Sequence, residues 1–292
     1  MNFLFFLESC ISGLLAGLIS WLLYRGGNPW DLLGNFQISL MASSIFCGMF
    51  SGLVSSTQIL VMERKVKKAT SYFLSSFIVC FSITALGSVV YSLIMESVIN
   101  NGTQLSTSVL RFFWWLLLAI ELSCGFGFLH NSLKVLCKTL MGFTPAFIIA
   151  GALVDKTFLL DNNYLLSFLF LGLIIGLSFA IAWELLKEGW LDEYRGYGIT
   201  FRYYLEGEFS AGSSDECDLT LQDGPETLFI IVERDSVHIF ELQVNEFRAS
   251  VNGSKFRYRA LVDGDKINVG ERAFIYHSTY SRIKEEMPET TF

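Results

Sequence analysis

The chain of 292 residues is 52% hydrophobic and 15% aromatic, with only 17% charged residues and a mean hydropathy of +0.47. A soluble globular chain carries roughly 45–50% apolar and about 25% charged residues, so these values exclude a disordered chain and argue against an ordinary soluble enzyme. The net charge of −7 is unevenly held: residues 1–186 carry nine Lys/Arg against eight Asp/Glu, whereas residues 187–292 carry twelve against twenty, which marks two chemically different parts.

A bilayer core about 30 Å thick takes about 20 apolar residues in a helix. Six stretches qualify, at about 3–24, 38–62, 72–96, 110–130, 135–154 and 164–186, and predict an α-helical transmembrane bundle over residues 1–187. The first stretch has no basic n-region and no small-residue cleavage site after its apolar run, so it reads as a retained span and not a signal peptide. Arg64, Lys65, Lys67 and Lys68 stand between the second and third stretches, and Lys134 and Lys138, with His130 beside them, between the fourth and fifth. The opposite loops hold Arg25, Arg111 and Lys156. Basic residues gather on the cytoplasmic side of spans, so the bias places both termini in the cytoplasm. Trp21, Tyr24, Trp30, Trp114, Trp115, Trp183 and Trp190 lie near span ends, where amphipathic rings anchor at the interface.

Small residues recur four apart: Gly13 with Gly17, Gly48 with Gly52, Gly142 with Ala146 and Ala150, and Gly172 with Gly176. Such faces let backbones approach closely in lipid, either within one chain or along an oligomer seam or pore lining. Pro145 is expected to kink the fifth span. Cys47-Gly48-Met49-Phe50 echoes Cys124-Gly125-Phe126-Gly127, each before a basic loop, which is the pattern a duplicated helical hairpin would leave. Glu121 stands in the middle of the fourth span, whereas Glu8, Glu96 and Glu184 lie nearer span ends. An ionisable group at midplane is expensive and marks an intramembrane functional candidate: either a carboxyl bonded to a neighbouring helix or an ion- or proton-responsive group.

Past Trp190 the pattern changes to short strands bounded by turn formers, at 199–205, 208–212, 218–221, 228–233, 237–242, 247–251, 256–259, 267–269 and 273–277. Asp223-Gly224-Pro225, Asn252-Gly253 and Asp263-Gly264-Asp265 supply positive-φ tolerance or fixed φ between them. About 90 residues patterned in this way predict a small all-β sandwich over 188–283, followed by an acidic, solvated tail over 284–292.

Within that part, Asn252-Gly253 followed by Leu261-Val262-Asp263-Gly264-Asp265-Lys266-Ile267-Asn268-Val269-Gly270 resembles the closing motif of forkhead-associated (FHA) domains. Phe209 to Leu221, with Gly212 and Asp218-Leu219-Thr220-Leu221, resembles their opening motif. The resemblance covers roughly residues 197–280 and implies an FHA-like sandwich, and the whole arrangement resembles bacterial polytopic membrane proteins with glycine-rich spans and a C-terminal FHA domain. It also implies phosphothreonine binding through an Arg after the first motif glycine and a Ser in a Ser-x-x-His turn. Here Ser213 stands in the Arg position, and Pro225 to Ile230 contains neither that Ser nor that His. A hydroxyl cannot replace the bidentate, charge-assisted bonds of Arg to phosphate, so the site is read as degenerate and a phosphothreonine peptide as disfavoured. Ser213, Ser214, Thr227, Asn245 and Asn252 mark the loop end that FHA-like domains present to partners.

No GxxxxGK[ST], GxGxxG, HExxH or GxSxG pattern occurs, and the six cysteines and three histidines show no zinc-ligand spacing. No catalytic residue, metal or cofactor is therefore expected. Isolated basic–aromatic pieces such as Arg257-Tyr258-Arg259 in an acidic part do not make a nucleic-acid surface. The expectation is a non-enzymatic, multi-pass inner-membrane anchor or scaffold that docks a cytoplasmic protein partner, within a bacterial signalling, secretion or defence assembly. The alternative is a homo-oligomeric ion channel or pore gated through the cytoplasmic domain.

Overall fold

The computed structural model describes residues 3–26, 35–63, 65–100, 107–157, 164–194, 200–205, 208–214, 217–221, 225–234, 237–243, 249–279 and 290–291. They divide into two compact units, Met1–Leu186 and Lys187–Phe292.

The first unit is all helix: α1 (Phe3–Gly26), α2 (Asn35–Glu63), α3 (Val66–Asn100), α4 (Thr107–Leu129), α5 (Leu133–Thr157) and α6 (Tyr164–Leu185). Five of the six are long and apolar enough to cross a membrane. In the sixth, α2, the described residues give an apolar stretch over Met41–Thr57, inside a helix that covers the span expected over 38–62. Each helix packs on its sequence neighbours and α6 returns to α1, so the six close into a ring. The centre is filled by rings: Phe179 stacks on Phe143 at 5.6 Å and meets Phe50 at 5.8 Å and Phe126 at 5.2 Å. Trp183, read from sequence as an interface anchor, is buried against Phe179 at 5.1 Å. Outward positions of α3 such as Leu86, 68% exposed, are apolar, as a lipid-facing surface requires.

The small-residue faces are used inside the chain. A Cβ at Gly13 would overlap the Gly172 carbonyl oxygen, and one at Gly172 the Gly13 carbonyl oxygen, so α1 and α6 touch backbone to backbone. Gly48 and Gly52 seat the rings of Phe77 and Phe73, and Gly142 seats Ala182. The two echoing motifs both pack on α3, Gly48 against Phe77 and Phe81 and Gly125 against the Cys80 thiol. Helix α5 continues through Pro145.

The second unit is a β-sandwich of β1 (Gly189–Tyr194), β2 (Thr200–Tyr204), β3 (Glu208–Gly212), β4 (Leu219–Thr220), β5 (Phe229–Arg234), β6 (Val237–Leu242), β7 (Ala249–Val251), β8 (Phe256–Ala260), β9 (Lys266–Val269), β10 (Arg272–Ser278) and β11 (Thr290–Thr291). One sheet has the order β2-β1-β10-β9-β7 and the other β11-β8-β6-β5-β3-β4, antiparallel apart from the parallel pair β3–β4. Two strands were not expected. The short strand β11 pairs with β8 from within the tail, and β1 begins immediately past the last helix, where Trp190 had read as a membrane anchor.

Alternation fills the space between the sheets with Leu191, Phe209, Phe229, Ile231, Phe240 and Phe274, all buried. Two polar devices join the sheets across this core. Arg272 of β10 donates from Nε to Glu193 Oε1 at 2.6 Å and from Nη2 to Oε2 at 2.8 Å, while its Nη1 reaches the Thr220 carbonyl in the opposite sheet at 3.2 Å. Glu193 is 2% exposed and also accepts from the Tyr203 hydroxyl at 3.0 Å. Burial works against the Arg272 charge, but Glu193 and Tyr203 more than offset it and hold the guanidinium above its usual pKa.

The second device is buried His238 of β6, whose Nδ1 is 2.8 Å from the Tyr276 hydroxyl of β10. Burial pushes the Tyr276 phenol up to about 12. An unfolded tyrosine titrates near pH 10, so the stabilisation from the neutral phenol is complete below that pH and is lost as pH rises towards 12. Alkaline unfolding of the β unit should show this loss, and Tyr276→Phe should remove it; an unchanged alkaline profile in the variant contradicts the assignment.

The motif turns are locally determined. Asn252 (φ 53°) and Gly253 (φ 78°) form a two-residue hairpin loop closed by bonds between Val251 and Ser254 at 2.9 and 3.1 Å. Asn252 Nδ2 donates to Asp265 Oδ1 at 2.7 Å, and its Oδ1 accepts from the Lys266 amide at 2.8 Å. Asp265 Oδ2 in turn accepts from the Val262 amide at 2.9 Å. Asn252→Ala loses both side-chain bonds and the tolerance of positive φ, and should cost about 2 kcal/mol of the β unit's stability in a denaturant titration. Asn252→Gly, which keeps the backbone, should cost less.

Candidate functional site

The loop end is built where β3 stops. Gly212 is required there because a Cβ would overlap the Glu226 carbonyl oxygen. Beyond it the two loops stay zipped: the Ser213 amide donates to the Pro225 carbonyl at 2.9 Å, the Ser214 amide to that of Glu226 at 3.1 Å, and the Leu228 amide to that of Ala211 at 2.7 Å. Buried Cys217 closes the base, its thiol donating to the Glu226 carbonyl at 3.2 Å and lying 4.0 Å from the Thr227 hydroxyl. Asp218 holds the approach to the loop by accepting from the amide and hydroxyl of Ser210 at 2.8 and 2.9 Å.

Ser213, Ser214 and Thr227 are therefore brought together on one edge. Asn252 is committed to the β8–β9 turn through Asp265 and Lys266. Asn245 lies outside the described residues. Gly212 and Cys217, which fix how the loops meet, carried no functional signal in the sequence; the glycine was legible only as a motif position.

The stretch of sequence that contains this edge is one-sided in charge. From Tyr203 to Glu233 the chain has no Lys or Arg, while Glu206, Glu208, Asp215, Glu216, Asp218, Asp223 and Glu226 all fall within that stretch. The guanidinium of Arg272 reaches the neighbouring Thr220 carbonyl, yet its charge is met by Glu193. Ser213, Ser214 and Thr227 give the edge hydroxyls and backbone groups. Among the described residues no group of three or more His, Cys, Asp or Glu could hold a metal ion, and none of the six cysteines is in a disulfide.

The β unit is a β-sandwich of two sheets, and the solved structures similar to this chain include FHA domains. One, from a structural and functional analysis of phosphothreonine-dependent FHA domain interactions, is 23% identical over 32% of this chain and 99% of its own, with a TM-score of 0.29. The FHA domain of CT664 from Chlamydia trachomatis is 18% identical over 32% of this chain and 100% of its own, with a TM-score of 0.30. EmbR of Mycobacterium tuberculosis, solved with a low-affinity phosphopeptide, is 12% identical over 94% of this chain and 70% of its own, with a TM-score of 0.29. No protein-family model and no curated protein matches.

Proposed function

We propose that this protein is a non-enzymatic membrane anchor whose FHA-like unit docks a cytoplasmic protein partner through the edge formed by Ser213, Ser214 and Thr227, without using phosphothreonine. The observation that carries the reading is the cation-free, acidic stretch from Tyr203 to Glu233 at the position where phosphothreonine recognition needs an Arg. The helical unit supports the anchoring part, with five helices able to cross a bilayer and an apolar outer surface. The basic bias of the 64–68 and 134–138 segments favours cytoplasmic termini. A bacterial inner membrane, and a signalling, secretion or defence assembly there, fit this organisation. The ring-filled centre of the bundle and glycine faces occupied within the chain give no support to a pore.

Fluorescence titration of the full chain in detergent with a phosphothreonine peptide library should give no saturable binding. A member that binds tightly, and whose dephosphorylated form does not, contradicts the proposal.

A further inference from the structure

The most anomalous group in the helical unit is Glu121 of α4. It is 5% exposed, and neither carboxyl oxygen has a hydrogen-bond partner. Buried carboxyl groups are bonded or paired in nearly all proteins, so this one needs a reason. Its side chain fills a notch in α3: a Cβ at Gly87 would overlap Glu121 Oε1. The same α3–α4 seam repeats the device a turn or two away, with the Cys80 thiol seated against Gly125. It is closed near its other end by the Tyr91 hydroxyl on the Leu110 carbonyl at 2.8 Å and by Tyr91 on Trp114 at 4.9 Å.

Among the described residues, the titratable groups facing this seam are the thiols of Cys47 on α2 and Cys80 on α3 and the phenol of Tyr91; none of them can neutralise a carboxylate. The buried cations Lys68 and Lys138 sit in the opening turns of α3 and α5. Gly87 lies nineteen positions past Lys68, about 28 Å along α3 at 1.5 Å per residue.

We propose that Glu121 is a proton-binding site that latches α4 to α3. As the acid it brings no charge into the seam and packs on the bare backbone at Gly87. As the carboxylate it has no counter-charge there and must leave the notch to reach water, which parts α3 from α4. Proton loss therefore opens the seam, and Cys80, held in the next notch, is uncovered with it. The inference is independent of the docking reading, since it concerns the helical unit alone and its test involves no partner.

The test uses the full chain in lipid nanodiscs and two readouts. The first is reaction with dicyclohexylcarbodiimide, an apolar reagent selective for the acid form. The carboxyl oxygen bonds to the carbodiimide carbon and the acid proton passes to its nitrogen; an O-to-N acyl shift then gives a stable N-acylurea, with no redox change. Peptide mass spectrometry should find Glu121 modified near pH 6, at least about tenfold less near pH 9, and not at all in Glu121→Gln. The second readout is alkylation of Cys80, compared between wild type and Glu121→Gln at each pH so that the thiol's own titration cancels. The rates should agree near pH 6, and the wild type should react about tenfold faster near pH 9. An unmodified Glu121 at both pH values, equal modification at both, or equal Cys80 rates near pH 9 overturns the proposal.

Discussion

Arg272→Met is expected to destabilise the β unit by about 3–5 kcal/mol, because it leaves the buried Glu193 carboxylate without its charge partner, and Glu193→Gln by less, because the Arg272 guanidinium keeps some contact with solvent. The effect exceeds that of an ordinary surface ion pair for two reasons visible in the structure. Glu193 is 2% exposed and accepts three bonds, two from Arg272 and one from Tyr203. Arg272 also ties β10 to the Thr220 carbonyl of the opposite sheet, so its loss loosens the contact between sheets as well as the pair. Replacing both residues by apolar ones, Glu193→Leu with Arg272→Met, should recover most of the loss, since a buried pair exchanged for well-packed apolar groups is often nearly neutral. Denaturant titration of the full chain, followed by hydrogen exchange in the 189–194 and 272–278 peptides, separates the β unit from the helices. Additive losses in the double variant would show that the two side chains do not act as a pair.

The second large effect lies in the helical unit. Gly172→Leu is expected to cost about 3 kcal/mol or more, at the upper end of overpacking penalties, because the new side chain meets the Gly13 carbonyl and not a yielding side chain. Gly13→Leu should do the same from α1, and the two should not add, since one displacement of α1 from α6 relieves both. Gly253→Ala is the comparison: a Cβ there meets nothing within 4 Å, so only the positive φ of 78° is strained. Its cost should be about 1–2 kcal/mol and confined to the β unit. Thermal unfolding in detergent, monitored by size-exclusion of the full chain, checks the ranking; a Gly172→Leu protein as stable as wild type would contradict the backbone-to-backbone contact.

The helices were legible because six long apolar runs take up most of residues 3–186, and strands β2 to β10 because alternation and turn formers bound each of them. Strand β1 was hidden: Gly189-Trp190-Leu191-Asp192-Glu193-Tyr194 has two consecutive carboxylates, and only the structure shows Asp192 bound to Arg202 at 2.8 Å on one face and Glu193 bound to Arg272 on the other. Trp183 shows the limit of reading an aromatic by depth alone, since its neighbour Phe179 draws it into the ring-filled centre. At the loop end, the resemblance to FHA motifs pointed to Ser213, Ser214 and Thr227 as candidates, but the pairing of 213–214 with 225–226 is a tertiary fact with no local signature. The notch at Gly87 could not be read either, because α3 and α4 meet there across thirty-four positions of sequence.

The proposed docking edge is tested most directly by comparing the proteins co-purified with the full-length chain, with a Ser213→Trp/Thr227→Trp variant, and with phosphatase-treated wild type. Bulky indoles on the edge should abolish recovery of the partner while leaving the β unit folded by hydrogen exchange, and phosphatase should leave recovery unchanged. A partner retained by the variant, or lost on phosphatase treatment, would contradict a phosphate-independent dock at this edge.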